Sequence, residues 1–536
     1  MRIQREERHG PGALCADPRP GGRPGLPAAA ALRQAVQQAL GHQRVPGTPE
    51  TIPFEITDAV TLTPHPGQPA PSVRLVVVTT AAGDRLVVPL RQTPTGWAAV
   101  PSVAETLVGA VLTHGRLPTE AGGEIALDPG CPSRPDSTVH RERDRSDPLD
   151  LLLVDGRRCV HHGRRLLDRA DRTGRLLRLL GERTDAVPRQ VFGYHYRDPA
   201  DGSRSPLGLV REHLPGRGLD SHLADSLHAA LSVPTAGPPL TESTAVLLRR
   251  TGRRLRYLHQ DLAAVQSVQP AAVDLADWCQ QVAAGFSRLW RTLPTVLGGD
   301  RGRLLTAHAE QLVTAELAGA TEWTNGVRVP AGPCHGRLRP ADLLVAPAGD
   351  VRLLGLAASA ATTVGPGPRP PVPTSPWQDL AALEVTVTDL AWRQLARDHH
   401  GPALAIDPGP TVSRMLAGAA RVAGAALPVV PPDPRVAARL AAAERAVTGW
   451  LDAVRGELLT GYGAAGTPVP AARPQRQAAV TLTAANWPVH PGRRLLVLDQ
   501  LARLVEVQLA TGDRHRTELA LCQLFTRLTA PGPVRP

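Results

Sequence analysis

The stretch at residues 334–357, CHGRLRPADLLVAPAGDVRLLGLA, decides the fold of this chain. A His-Gly pair beginning at His335 opens a loop, and a short apolar segment follows at 343–345. The Pro-Ala-Gly-Asp sequence at 347–350 is typical of a turn between antiparallel strands, and a second apolar segment covers 351–354. The pattern therefore predicts a loop followed by a two-stranded β-hairpin.

Composition limits the kinds of protein this chain can be. It has 536 residues, of which 42% are hydrophobic and only 3% aromatic, so more than one domain and a core of Leu, Val and Ala are expected. It contains no apolar run of the roughly 18 residues that would span a membrane, and its first residues lack a signal-peptide core. The six cysteines are scattered without a C-x-x-C pair, which predicts free thiols in a cytoplasmic protein.

The positive charge of the chain comes from arginine alone. The formal net charge is +11, and all 60 Lys-plus-Arg residues are arginine. Arginine in excess without lysine is typical of a GC-rich coding sequence, so most of these side chains are predicted to be solvated. Few aromatic rings exist for base stacking, so nucleic acid is not the expected partner. The absence of lysine excludes a P-loop NTPase, a standard kinase N-lobe and Schiff-base chemistry.

The order of β-like and helical patterns predicts an α+β fold. Residues 1–45 are expected to form a mobile tail and a short helix, residues 46–130 a β-rich domain, and residues 131–147 a linker. Residues 148–235 read strand, strand, helix, strand, strand, and residues 236–536 are mostly helical.

Individual elements are predicted from period-2 and period-3.6 hydrophobic patterns. The predicted strands are 52–60, 73–80, 85–90, 149–154, 159–162, 188–196 and 207–212. The predicted helices are 28–40, 102–112, 164–183, 243–261, 273–290, 304–317, 377–397, 434–462 and 495–529. Residues 114–147 have loop composition throughout.

Short segments, taken in order along the chain, resemble the maltokinases and, less closely, the wider aminoglycoside-phosphotransferase family. They are VPRQVFG at 187–193, REHLPG at 211–216, a helical pattern at 248–259 that ends Tyr-Leu-His, SPWQDLA at 375–381, and the segments at 450–462 and 498–508. The resemblance implies a bilobal protein-kinase-like fold. It would have an N-terminal β-rich cap domain at 46–130, an N-lobe at 148–235 and a mostly helical C-lobe at 236–536.

The resemblance also implies which loop residues stand at the catalytic positions. In this family the loop reads H-G-D-x-H-x-x-N/Q, and a D-F-E or D-W-E follows the hairpin. Carried over onto this chain, the catalytic Asp falls on Arg337, close to the loop histidine His335, and the next basic position falls on Arg339. The metal-binding Asn or Gln falls on Asp342, and the metal-binding Asp of the hairpin falls on Gly355.

Nucleotide-binding positions of the N-lobe follow from the same resemblance. The phosphate-binding lysine falls on His161, its glutamate partner on or near Arg175, and the acidic residue of the hinge on Glu212. The small polar residues that cover the phosphates fall at 147–150. Imidazole is a weaker cation than lysine, and Arg175 would repel a protonated His161.

These substitutions predict a catalytically degenerate member of the family, a pseudokinase with a binding or regulatory role. Arg337 cannot accept a proton, and Gly355 has no oxygen for a hard cation. The resemblance implies a sugar or glucan ligand, an enzyme partner of trehalose, maltose 1-phosphate or glycogen metabolism, and ATP with magnesium only if the chain is active.

Two other functions stay open. The first is an active ATP-dependent kinase of maltose or another sugar, in which Asp342 or a carboxylate at 147–155 replaces the lost groups. The second is a basic nucleic-acid-associated protein, whose binding would weaken steeply with salt.

Overall fold

The computed structural model describes most of the chain. The described residues are 26–41, 53–62, 72–142 except 82, 95 and 101, 150–163, 167, 173–232, 239–266, 271–324, 327–354, 374–398, 416–420, 424, 434–464, 487 and 490–529.

Strands dominate the first half of the described residues and helices the second. The strands are β1 (Phe54–Leu62), β2 (Val73–Thr80), β3 (Arg85–Thr93), β4 (Gly96–Ala99), β5 (Arg116–Pro118), β6 (Glu124–Leu127), β7 (Val139–Arg141), β8 (Asp150–Val154), β9 (Arg157–Gly163), β10 (Gln190–Arg197), β11 (Arg204–Glu212), β12 (Arg217–Gly218), β13 (Ala271–Asp274), β14 (Arg328–Ala331), β15 (Leu343–Val345) and β16 (Val351–Leu353). The helices are α1 (Leu26–Gly41), α2 (Ala104–His114), α3 (Thr173–Arg183), α4 (Leu219–Ser232), α5 (Glu242–Gln266), α6 (Leu275–Leu297), α7 (Gly299–Thr324), α8 (Trp377–Asp398), α9 (Pro434–Ala464), α10 (Pro491–Thr511) and α11 (Arg514–Thr529).

The first sheet is a four-stranded antiparallel meander in the order β1-β2-β3-β4. Its second strand is a run of valines because both of its faces are covered. Val76 and Val78 pack in the cluster formed with α1, while Leu75 and Val77 pack in the core shared with the second sheet. Side chains that alternate between two apolar layers explain why β2 lacks the polar alternation of a half-exposed strand.

The second sheet has seven strands in the order β5-β6-β10-β11-β9-β8-β7, all antiparallel to their neighbours. Three of these strands come from residues 114–147, for which we predicted loop structure, and that prediction is wrong. The missed strands have only three or four residues, too few to show a period-2 pattern, and they form by pairing with longer strands. The proposed domain boundaries at 130 and 147 thus fall between strands of one sheet.

A buried carboxylate links the two sheets. Asp58 lies on β1 and is 4% exposed. It accepts hydrogen bonds from the Tyr196 hydroxyl (2.7 Å), the Thr119 hydroxyl (2.5 Å) and the backbone N–H groups of Ala59 (2.7 Å) and Ala121 (2.9 Å). Four donors satisfy a carboxylate that burial would otherwise make very costly.

The helical region closes around an apolar core that contains Trp278, Phe286, Trp450 and Phe525. The order of elements from β8 onward is strand, strand, helix, strand, strand, a short connection, helices, the His-Gly loop, a hairpin and further helices. This is the order predicted for a kinase-like body, and the α+β fold with a sheet-rich N-terminal region and a helical C-terminal region is confirmed. Across the described ranges, no helix is both long and apolar enough to cross a membrane.

The helix predicted at 495–529 is two helices. Gly512 has a φ of 67° and ends α10, and its N–H donates to the Leu509 carbonyl at 3.0 Å. Asp513 then accepts a hydrogen bond from the Arg516 N–H at 3.1 Å and begins α11. A left-handed glycine followed by a capping aspartate therefore interrupts the apolar periodicity that predicted one helix.

Candidate functional site

Asp379, in the first turn of α8, anchors the His-Gly loop through hydrogen bonds to the loop backbone. One carboxylate oxygen of Asp379 accepts a hydrogen bond from the His335 N–H at 2.8 Å, and the other accepts from the Gly336 N–H at 2.6 Å. Gly336 has a φ of 82°, a conformation that L side chains rarely adopt. Asp379 is fully buried, so the loop backbone is fixed by a charge that has no access to water.

Asp379 is itself part of a longer buried network. The His259 Nε2 on α5 lies 2.9 Å from Asp379, and the His259 Nδ1 lies 3.0 Å from the Tyr462 hydroxyl on α9. Burial alone would raise the pKa of the Asp379 carboxyl, but the hydrogen bonds from His259 and from the loop backbone outweigh it and hold that pKa below its usual range. Three helices thus fix the position of the loop.

Arg337, at the expected catalytic position, carries an exposed side chain. Partial desolvation and the nearby Arg503 on α10 lower the pKa of the Arg337 guanidinium, while Glu506 and Asp499 act in the opposite direction. The charged groups that influence Arg337 thus lie on α10. A cation stands where the family resemblance implies a proton-accepting carboxylate.

Asp342 is tied to an arginine of its own loop. Its carboxylate accepts hydrogen bonds from the Arg339 N–H (2.8 Å), Nε (3.2 Å) and Nη2 (2.7 Å), across the 3-10 turn Pro340–Asp342. The hydrogen bonds that the Arg339 guanidinium donates to Asp342 raise the pKa of that guanidinium. A cation at Asp342 would have to displace a bidentate charge-assisted pair.

The hairpin predicted after the loop is present. β15 pairs with β16 through a turn at Gly349, whose φ is 81°, and β12 pairs with the other side of β15. The Leu354 N–H donates to the Asp342 carbonyl at 2.8 Å and joins the end of the hairpin to the loop. Gly355, the position of the expected metal-binding Asp, lies outside the described residues.

His161 is buried within the second sheet. Its Nε2 lies 2.5 Å from the Tyr194 hydroxyl, and its Nδ1 lies 3.7 Å from Asp150, which also pairs with Arg141 at 2.9 Å and with Ser102. Burial raises the pKa of the Tyr194 hydroxyl, so that group stays protonated. With 5% exposure, the His161 side chain faces protein groups on both sides of its ring.

The other two N-lobe positions are exposed. Arg175 lies on the outer side of α3, and Glu212 ends β11 opposite Cys159. Within the described residues, no hydrogen bond or ion pair joins Arg175 or Glu212 to His161. Of residues 147–150, only Asp150 is described. The structure therefore brings together His335, Arg337, Arg339 and Asp342 in one loop but does not join the three N-lobe positions.

Sequence reasoning missed the role of Asp379, His259 and Tyr462. All three lie in segments that carried the resemblance, but no local pattern marks them as partners. Hydrogen-bond partners 120 and 203 residues apart in the chain leave no spacing signal.

The loop does not fit a magnesium–nucleotide site. Magnesium takes oxygen ligands in octahedral geometry, and Asp342 is the loop's one carboxylate, bound by Arg339. Within the described part of the chain, no group of three or more His, Cys, Asp or Glu residues is arranged to hold a metal ion.

Comparisons with known proteins give only remote likenesses. No family model and no curated protein matches the chain. It is similar to a glucosamine kinase in complex with glucosamine, ADP and inorganic phosphate, with 15% identity over 90% of this chain and 97% of that one and a TM-score of 0.44. It is also similar to a thermostable mutant of aminoglycoside phosphotransferase APH(4)-Ia, with 11% identity over 76% of this chain and 96% of that one and a TM-score of 0.33. A Plasmodium vivax ethanolamine kinase has 10% identity over 60% of this chain and 77% of that one, with a TM-score of 0.27.

Proposed function

We propose that this chain is a maltokinase-like pseudokinase, which binds a ligand or a partner but does not transfer phosphoryl groups by the mechanism of that family. The arrangement of the loop carries the proposal. By the family resemblance Arg337 takes the position of the proton acceptor, and Arg339 donates hydrogen bonds to both oxygens of Asp342. A guanidinium stays charged and cannot act as a general base.

The proposed role is in sugar metabolism in the cytoplasm. The ligand would be a sugar or a glucan, and the partner an enzyme of trehalose, maltose 1-phosphate or glycogen metabolism. Support comes from the order of the resembling segments and from the anchoring of the loop by Asp379, which keeps its backbone in a defined conformation.

The decisive experiment is a thermal-shift titration with ATP, with and without magnesium, alongside a maltose phosphorylation assay. A ligand that binds only the native state must raise the melting temperature. We expect no magnesium-dependent shift and no transfer of phosphate to maltose. A magnesium-dependent shift together with turnover would reject the proposal.

The second candidate is an active sugar kinase that uses ATP and magnesium, and one observation favours it. Asp342 keeps two carboxylate oxygens at the end of a rigidly anchored loop, next to the hairpin. If Arg339 releases Asp342 when substrate binds, Asp342→Asn must abolish turnover. Asp350→Asn, which changes an exposed carboxylate in the adjacent hairpin turn, serves as the matched control and should leave turnover unchanged.

A further inference from the structure

One face of α5 is basic and carries an exposed aromatic ring. Arg250, Arg253 and Tyr257 follow at intervals of three and four residues, which places them on the same side of a helix. Arg254 lies next to them on the same side. Tyr257 is 45% exposed, which is unusual for a large ring in a chain with so few aromatics. We call these four residues the basic face.

The loop hairpin and α3 flank the basic face. The Arg254 Nε donates to the Val351 carbonyl of β16 at 3.1 Å, and the guanidinium of Arg250 lies over the hairpin turn at Gly349. Helix α3 packs beside α5, where Arg183 pairs with Asp261 at 3.2 Å. These contacts hold the basic face rigidly against its neighbours.

Neighbouring arginines of α5 differ in their ion pairing. Arg249, one residue away on α5, pairs with Glu242 and with Glu457, each at 2.8 Å. Arg254 pairs with Asp185. By contrast, no carboxylate within the described residues pairs with Arg250 or Arg253.

The exposed side of α3 continues the pattern. It carries Arg175 and Arg178, which also have no ion-pair partner within the described ranges. Two neighbouring helices thus each present two exposed guanidinium groups that have no ion-pair partner among the described residues.

We propose that the basic face binds an acidic segment of a partner protein. Guanidinium groups bind carboxylates in bidentate geometry, and Arg and Tyr are the residues enriched at the centres of protein interfaces. A nucleic-acid strand is the poorer fit, because it needs several stacking rings in succession and the basic face has only Tyr257. The proposal goes beyond the pseudokinase assignment and holds whether or not the His-Gly loop transfers phosphate.

The test is fluorescence anisotropy with the full chain and a labelled Glu-Ala repeat peptide, at low and at physiological salt. We expect R250E/R253E to weaken peptide binding at least about tenfold, the scale of interface hot spots. The matched control is R288E/R291E on α6, where two exposed arginines have the same spacing and the charge change is equal. The control should stay within about twofold, because distant charges are screened.

A third variant tests more than charge. Tyr257→Ala leaves net charge unchanged and should also weaken peptide binding, by about tenfold if the ring lies at the centre of the interface. Equal weakening by the two double variants would overturn the proposal, since net charge alone would then explain binding. Absence of peptide binding at low salt, or tighter binding of an oligouridylate than of the peptide, would overturn it as well. Melting curves check that each variant is folded.

Discussion

Glu384, on α8, holds three guanidinium groups from three other helices. Arg493 of α10 binds both of its oxygens, Arg455 of α9 lies 3.5 Å away, and Arg527 of α11 lies 3.8 Å away. Burial alone would raise the pKa of the Glu384 carboxyl, but the three arginines outweigh it and lower that pKa to about 2 from an ordinary 4.5. One residue therefore joins four helices by charge.

This pKa makes stability depend on pH in a defined direction. The pKa of Glu384 is lower in the folded state than in the unfolded state. The ionised carboxylate therefore contributes fully to the free energy of unfolding above about pH 4.5, and this contribution is lost as the pH falls toward 2. A shift of this size corresponds to about 3 kcal/mol. Urea unfolding of the wild type and Glu384→Gln between pH 7 and pH 3 should show a large stability gap at neutral pH that narrows in acid. A gap that stays constant with pH would contradict the prediction.

Substitution of Asp379 should lower the free energy of unfolding more than substitution of Tyr462, which contacts Asp379 only through His259. Asp379→Asn puts an amide N–H₂ among donors and removes the charge that His259 and the loop backbone bind, so we expect about 3–5 kcal/mol of destabilisation. Tyr462→Phe removes one hydroxyl at the end of the network and should cost only about 1 kcal/mol. Urea unfolding of both variants checks the order. Equal losses would mean that the loop is not anchored through Asp379.

The position of the loop could be predicted from sequence, but its support could not. His335, Arg337, Arg339 and Asp342 lie within eight residues of one another, and their spacing was enough to place them in one loop. The partner of that loop comes from another helix, and its hydrogen bonds exist only after the chain has folded.

At the scale of elements, the crossing of α5 and α9 depends on two glycines. A Cβ on Gly461 would overlap the Arg249 carbonyl of α5, and one on Gly252 would overlap the Leu458 carbonyl of α9. Gly456, on the same helix α9, has open space at its Cβ position. Substitution at Gly456 therefore tests helix propensity alone, whereas substitution at Gly461 also tests the packing of α9 against α5.

Alanine at these positions should have opposite effects. Gly461→Ala forces the helices apart and should destabilise the protein by at least about 2 kcal/mol. Gly456→Ala should stabilise it by about 0.5–1 kcal/mol, because alanine favours a helix and meets nothing. Thermal unfolding of the two variants is the measurement. Stabilisation by Gly461→Ala would show that the close crossing does not exist.

Long elements with a strong period were predictable and short paired ones were not. Helix α8 matches its prediction to within one residue because its 22 residues carry a continuous apolar stripe. The three-residue strands β5 and β7 have no such pattern. Tertiary pairing rather than local propensity makes them strands.

At the scale of the whole molecule, Asp58 joins the first sheet to the second. Asp58→Ala would leave the buried Tyr196 hydroxyl and the half-buried Thr119 hydroxyl without their acceptor and should cost about 3 kcal/mol or more. Hydrogen exchange followed by mass spectrometry should show loss of protection in β1 and in β10 together. Tyr196→Phe, which removes a single donor, is the milder control. Loss of protection confined to β1 would mean that the sheets open independently.

The strand order of the second sheet has a consequence for synthesis on the ribosome. β6 pairs with β10, and three strands (β7, β8 and β9) and helix α3 separate them in the chain. Because the chain emerges from its N-terminus, β6 leaves the exit tunnel long before its partner exists. The edge of β6 that pairs with β10 stays unpaired until β10 is made, and contacts of such long sequence separation form slowly. The first 140 residues therefore cannot complete their fold until β10 has been translated.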